Sequence, residues 1–177
     1  MDDAERRRLV EALHDTTMML VVAVAGGGNA IITDLLDVPG ASRTVLEARV
    51  PYAQSALTDM VGEEAMAGAG AVSDAMAEAM ATACLERAMS LAPTHEGLLL
   101  GVGITAALVS DRTKRGDHRA HIAIAASSEI VRHQFVGLAK GDLDRLGEDR
   151  VVADAALEAI AAACGPDHRR TWARPNS

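Results

Sequence analysis

Apolar and polar residues change period several times along this chain, and each change marks an element. Residues 3–15 carry Leu9, Val10 and Leu13 on one face of a charged segment, which predicts an amphipathic helix. Met18 to Val24 is a short, unbroken apolar run, the pattern of a strand buried on both faces. It ends in Ala25-Gly26-Gly27-Gly28-Asn29, and Ala30 to Leu36 is again apolar, so strand, glycine turn and helix follow one another. Val38-Pro39-Gly40-Ala41-Ser42 reads as a turn, 45–50 as a strand and 53–61 as a short helix. Gly68 and Gly70 mark a loop, and Ser73 is the N-cap of a long helix running to about Leu91 before Pro93. On that helix Met76, Met80 and Cys84 share a face and read as core.

The second half repeats the alternation. Gly97 to Thr105 predicts another buried strand, and Ser110 to Arg119 a polar loop. Ala120 to Ala126 predicts a third strand, with Glu129 to Leu138 as its hairpin partner. A last amphipathic helix covers 142–163. Buried strands alternating with helices predict a three-layer α/β domain with a mostly parallel or mixed central sheet flanked by helices. Residues 1–165 form that one domain, and 166–177 read as a polar, flexible tail.

Composition refines this picture. Of 177 residues, 49% are apolar, yet Tyr52, Phe135 and Trp172 are the only aromatics. The core must be built from Ala, Val, Leu, Ile and Met, and small side chains bring helices close to their neighbours. A net charge of −8 disfavours nonspecific binding to nucleic acid or anionic membranes. No apolar run is long enough to span a bilayer, and the acidic start lacks a signal-peptide pattern, so a cytoplasmic location is expected. Cys84 and Cys164 form no CxxC pair and read as reduced thiols.

Three features carry candidate chemistry. Backbone N–H groups of Gly26, Gly27, Gly28 and Asn29, at a helix N-terminus, suit a phosphate or carboxylate; equally, the turn would need glycine for steric reasons alone. Arg112 to Arg119 is the one dense basic cluster. Lys114, Arg115, His118 and Arg119 would clamp a phosphate if this loop faces the glycine turn across the strand ends, or would form a solvated surface loop. His118 is also a candidate general acid or base. His118 and His121 stand three apart at the start of a strand, where their side chains point to opposite faces, and His133 lies on the next strand. With no third ligand evident, neither a metal site nor any cofactor is expected.

Three segments in this order resemble the nicotinamide-nucleotide amidohydrolase, or CinA C-terminal, family. The first is Ala23 to Asn29 with Ile32 to Ser42. Val50-Pro51-Tyr52-Ala53-Gln54-Ser55-Ala56-Leu57, ending at Met60-Val61-Gly62, is the second. The third is Gly70-Ala71-Val72-Ser73 with its helix, then Gly101-Val102-Gly103-Ile104-Thr105-Ala106. Ala41 to Ala48 and Lys114 to Arg119 resemble a divergent subgroup, some of whose members are fused to a nucleotidyltransferase-like domain.

The resemblance implies a pocket in which the family deamidates nicotinamide mononucleotide, using a serine nucleophile in a Glu-Ser-Cys-Thr-Gly-Gly turn. Here those positions hold Val24, Ala25, Gly26, Gly27, Gly28 and Asn29, and the family's activating lysine is Leu57. Only the tyrosine, Tyr52, is kept. Ala25 has no lone pair with which to attack a carbonyl. The expectation is therefore a catalytically degenerate homologue that binds a nucleotide-like or phosphorylated ligand. A divergent amidase using Tyr52, Thr105 or His118, with Ser55 as a further hydroxyl, is the alternative; a structural partner of a nucleotidyltransferase is another. Family members often self-associate, so a homo-oligomer is expected.

Overall fold

The computed structural model describes residues 1–111 and 116–165. The tail expected at 166–177, and the Lys114 and Arg115 positions of the basic loop, lie outside the described residues. The elements run α1 (Asp3–His14), β1 (Met19–Ala25), α2 (Ala30–Asp37), β2 (Val45–Arg49), α3 (Gln54–Val61), α4 (Glu63–Gly68), α5 (Asp74–Leu91), β3 (Leu99–Ala107), β4 (His118–Ala126), β5 (Glu129–Leu138) and α6 (Arg145–Ala163). The five strands form one mixed sheet in the order β2-β1-β3-β4-β5. β2, β1 and β3 are parallel; β4 and β5 are added antiparallel.

Helices cover both faces, which is why β1 and β3 are apolar without alternation. On one face Leu20, Val22, Val24, Val102, Ile104 and Ile122 pack with residues of α1, α2 and α6. On the other, Val21, Ala23 and Ala25 meet Met76, Met80 and Cys84 of α5 and Leu57 of α3. The predicted close approach is realised at Gly101 and Gly103: a Cβ there would lie 2.0 Å from the carbonyl oxygen of Ala81 and 2.2 Å from that of Ala77. Glycine on the strand and alanine on the helix let α5 lie almost directly on β3. Burial pushes the Cys84 thiol up to about 12 and that of Cys164 up to about 11, so both stay protonated and unreactive at neutral pH.

Two differences from the sequence expectation have local causes. The short helix α4 occupies Glu63–Gly68, where six residues are too few to show a helical period. β4 begins at His118, inside the expected polar loop. His118 and Arg119 continue the ladder opposite Leu138 and Gly137, and a partner on α6 buries the polar ring of His118. Among the described residues no helix is long and apolar enough to cross a membrane.

His14 ties α1 to α2 and to the residue before β2. Its Nδ1 is 2.9 Å from Thr44 Oγ1 and its Nε2 3.0 Å from the Leu35 carbonyl oxygen. The ring is 1% exposed, and burial holds its pKa below the ordinary histidine value. The folded protein thus keeps His14 neutral where the unfolded chain takes a proton. This contribution to stability is complete above pH ~6.5, and falls as pH drops from there towards the lower folded value. Urea midpoints measured between pH 7.5 and 5.5 are expected to decline, and His14→Gln should flatten that decline. An unchanged slope in the variant would remove His14 as its source.

Candidate functional site

The C-terminal ends of β1 and β3 open into a cavity of about 340 Å³. Its floor is Ala25, Gly26, Thr105 and Ala106; α3 and the segment before it supply Pro51, Tyr52, Ala53, Gln54 and Leu57; Met66, Ala69, Ala71 and Val72 close the far side. The sheet register explains the floor. Ala25 pairs with Thr105, Thr105 with His121, and His121 with Phe135, so one row of side chains crosses four strands on the face covered by α5. The wall is tied down by two hydrogen bonds. Thr105 Oγ1 donates to the Ala71 carbonyl at 2.6 Å, and Arg119 donates to the Val72 carbonyl at 3.2 Å.

The lining is chemically quiet. None of its described residues carries a formal charge, and Tyr52 and Thr105 supply its hydroxyls. Tyr52 is 73% exposed at the mouth. Thr105 is 1% exposed, its hydroxyl proton is committed to Ala71, and its cross-strand neighbour His121 is hydrogen-bonded to Asp74. Ala25 and Leu57 present only hydrocarbon. Such a cavity can hold a small molecule by contact and by Tyr52, Gln54 and the nearby Arg119. Among the described lining residues, the hydroxyls of Tyr52 and Thr105 are the groups that resemble a nucleophile.

Of the residues expected in the site, Gly26, Tyr52 and Thr105 line the cavity, and Arg119 lies against its wall. Gly27, Gly28, Asn29 and His118 do not belong to it. Gly28 N and Asn29 N donate to Asp149 Oδ1 at 2.7 and 3.0 Å, Asn29 Nδ2 to the same oxygen at 3.2 Å, and Ala30 N to Oδ2 at 3.0 Å. An anion does sit at the start of α2, but it is a carboxylate of α6. Glycine is needed here for close packing: a Cβ on Gly26 would lie 2.1 Å from the Ala106 carbonyl oxygen, and one on Gly27 2.2 Å from Leu108. His118 points to the opposite face of the sheet, as strand alternation requires. There its Nδ1 lies 2.6 Å from Glu148, whose other oxygen accepts the Val109 N–H at 2.6 Å. Ser55 is exposed on α3 and absent from the lining.

Sequence reasoning missed Gln54 and the wall at Met66, Ala69, Ala71 and Val72 as lining residues. It also missed Arg145, Glu148 and Asp149, which hold the strand ends. Their spacing of i, i+3 and i+4 on a helix was the available signal.

The geometry defines an α/β domain with a ligand-sized cavity at the carboxyl edge of its parallel strands. The family model for the CinA C-terminal domain matches residues 2–93, from α1 through α5, and the chain belongs to that family. Solved structures reproduce the fold. A competence/damage-inducible protein from Agrobacterium tumefaciens superposes with a TM-score of 0.68 at 24% identity, over 90% of this chain and 93% of that one. A competence- or damage-inducible protein from Enterobacter asburiae gives 0.70 at 14% identity, over 91% and 96%. A CinA superfamily protein from Escherichia coli gives 0.66 at 14%, over 90% and 91%. No curated protein matches the chain.

Removing the internal anion tests its role. Asp149→Ala is expected to lower stability by about 2 kcal/mol, because three half-buried backbone donors and an amide lose their acceptor. Millimolar phosphate or sulfate should then raise the melting temperature of the variant more than that of the parent. Equal stability of the two proteins by urea denaturation would show that Asp149 does not anchor α2.

Proposed function

We propose that this domain binds a nucleotide-like or phosphorylated small molecule without hydrolysing it. The observation that carries the reading is the cavity itself. It is present at the strand ends, yet Ala25 and Leu57 occupy the two positions where the resembled amidohydrolases place serine and lysine, and they are 8% and 6% exposed. A methyl and an isobutyl group there supply contact area in place of reactivity. Tyr52 offers an exposed ring on which a base or pyridine can stack, and Gln54 offers an amide for its polar edge. Arg119 adds positive charge beside the wall, where a phosphate would be held.

This reading predicts that the protein releases no ammonia from nicotinamide mononucleotide above background. It also predicts that pyridine or purine mononucleotides raise the melting temperature in a saturable way, by mass action on the folded state. Tyr52→Ala and Arg119→Ala should each weaken that binding by about tenfold, the loss of one stacking or ionic contact. Ammonia production would restore the amidase alternative. Absence of any shift across the nucleotide panel, with both variants indistinguishable from the parent, would remove the binding reading.

A further inference from the structure

The row of side chains that floors the cavity continues beyond it to a second constellation. His121 stands opposite Thr105 on β4, while His133 and Phe135 stand opposite Ala123 and His121 on β5. The two histidines are therefore diagonal neighbours on the α5 face. That face is covered here by the start of α5, where Asp74 is the first helical residue after the N-cap Ser73. Asp74 Oδ1 is hydrogen-bonded to His121 Nδ1, and lies 2.8 Å from His133 Nε2. One ligand atom from each of the three residues lies within 4.8 Å of the others. The His121 ring is buried and braced by Phe135 edge-on, with centroids 5.2 Å apart, while His133 and Asp74 are open to solvent at 28% and 60%.

We propose that Asp74, His121 and His133 bind one divalent transition ion of the zinc type. Two imidazoles and one carboxylate are the donors such ions select, whereas calcium and magnesium favour all-oxygen sets. Ligand atoms around a four-coordinate zinc are roughly 3.3 Å apart, and the three donor atoms here already lie within 4.8 Å of one another. The three residues fill three positions of a tetrahedron, and the exposed side leaves the fourth to water. Two ligands sit on adjacent strands, whose spacing is fixed by the ladder. The third sits at a capped helix start, so the backbone that carries each ligand is held in place by regular structure. The ion would also fasten the segment between the cavity and α5, since Ala71 and Val72, which wall the cavity, immediately precede Ser73 and Asp74. Ala25 and His121 are two strands apart, about 10 Å, so the metal is a neighbour of the cavity and not part of its floor.

The metal-free reading of the same geometry is a carboxylate accepting N–H bonds from two imidazoles, and experiment separates the two. Tag-free protein treated with chelator and dialysed is titrated with zinc by calorimetry, and separately with cobalt(II) by visible absorption. One equivalent is expected to bind saturably, with d–d bands of a four- or five-coordinate cobalt site and a raised melting temperature. His133→Gln and Asp74→Asn, both at solvent-exposed positions, should each weaken binding at least tenfold. His95→Gln and Cys164→Ser, which alter potential ligands elsewhere, should leave it unchanged. Absence of saturable binding by both ions, or affinity unaffected by His133→Gln and Asp74→Asn, overturns the proposal.

Discussion

The first five residues of α6 hold the carboxyl edge of the sheet together. Asp149 takes the N–H groups at the start of α2, and Glu148 takes the Val109 N–H and faces His118. Arg145 donates to the carbonyls of Val109 and Gly26 at 2.9 and 3.1 Å. Three side chains on one helical face thus satisfy backbone groups after β1 and after β3 that would otherwise be left without partners in a half-buried setting, where each would cost about 1–3 kcal/mol. Every other feature at this edge depends on the result. The position of Gly26 sets the cavity floor, and the position of Val109 sets where β3 leaves the sheet.

The same arrangement divides the chemistry between the two faces. On the α6 side, polar groups are numerous but consumed by one another. A neighbouring network of the same kind joins Arg6 to Asp3 and Asp154, and Arg150 to Asp34, tying α1 and α2 to α6. Burial raises the pKa of Asp34 even with Arg150 beside it. These groups serve assembly. On the α5 side the floor is hydrocarbon at Ala25 and polar only further along the row, at Thr105 and His121. The cavity floor thus presents Ala25 and Thr105, and the open cluster of Asp74, His121 and His133 lies two strands away from Ala25.

Much of the fold was legible in the residues. The unbroken apolar runs of β1 and β3 announced strands covered on both faces, Ser73 announced the start of α5, and glycine with alanine announced close helix packing. The hairpin of β4 and β5 was also readable, with Ser127 and Ser128 forming its tight turn at positive φ. Less legible was the site. A glycine-rich turn before a helix reads the same whether its donors await a ligand or meet a carboxylate from 120 residues further along the chain. Strand alternation did place His118 and His121 on opposite faces of the sheet, but not the partner that each would meet there.

By itself, then, the sequence determined the family, the order of elements and the hydrocarbon side chains at positions 25 and 57, because these are properties of individual positions and of local period. Only the tertiary structure decided which groups meet. It assigned the helix N-terminus of α2 to Asp149, gave His118 to Glu148, and brought Asp74 to His121 and His133. Strand register and helix docking bring together residues far apart in the chain, and no local pattern records which of two equally polar partners will be the one in reach.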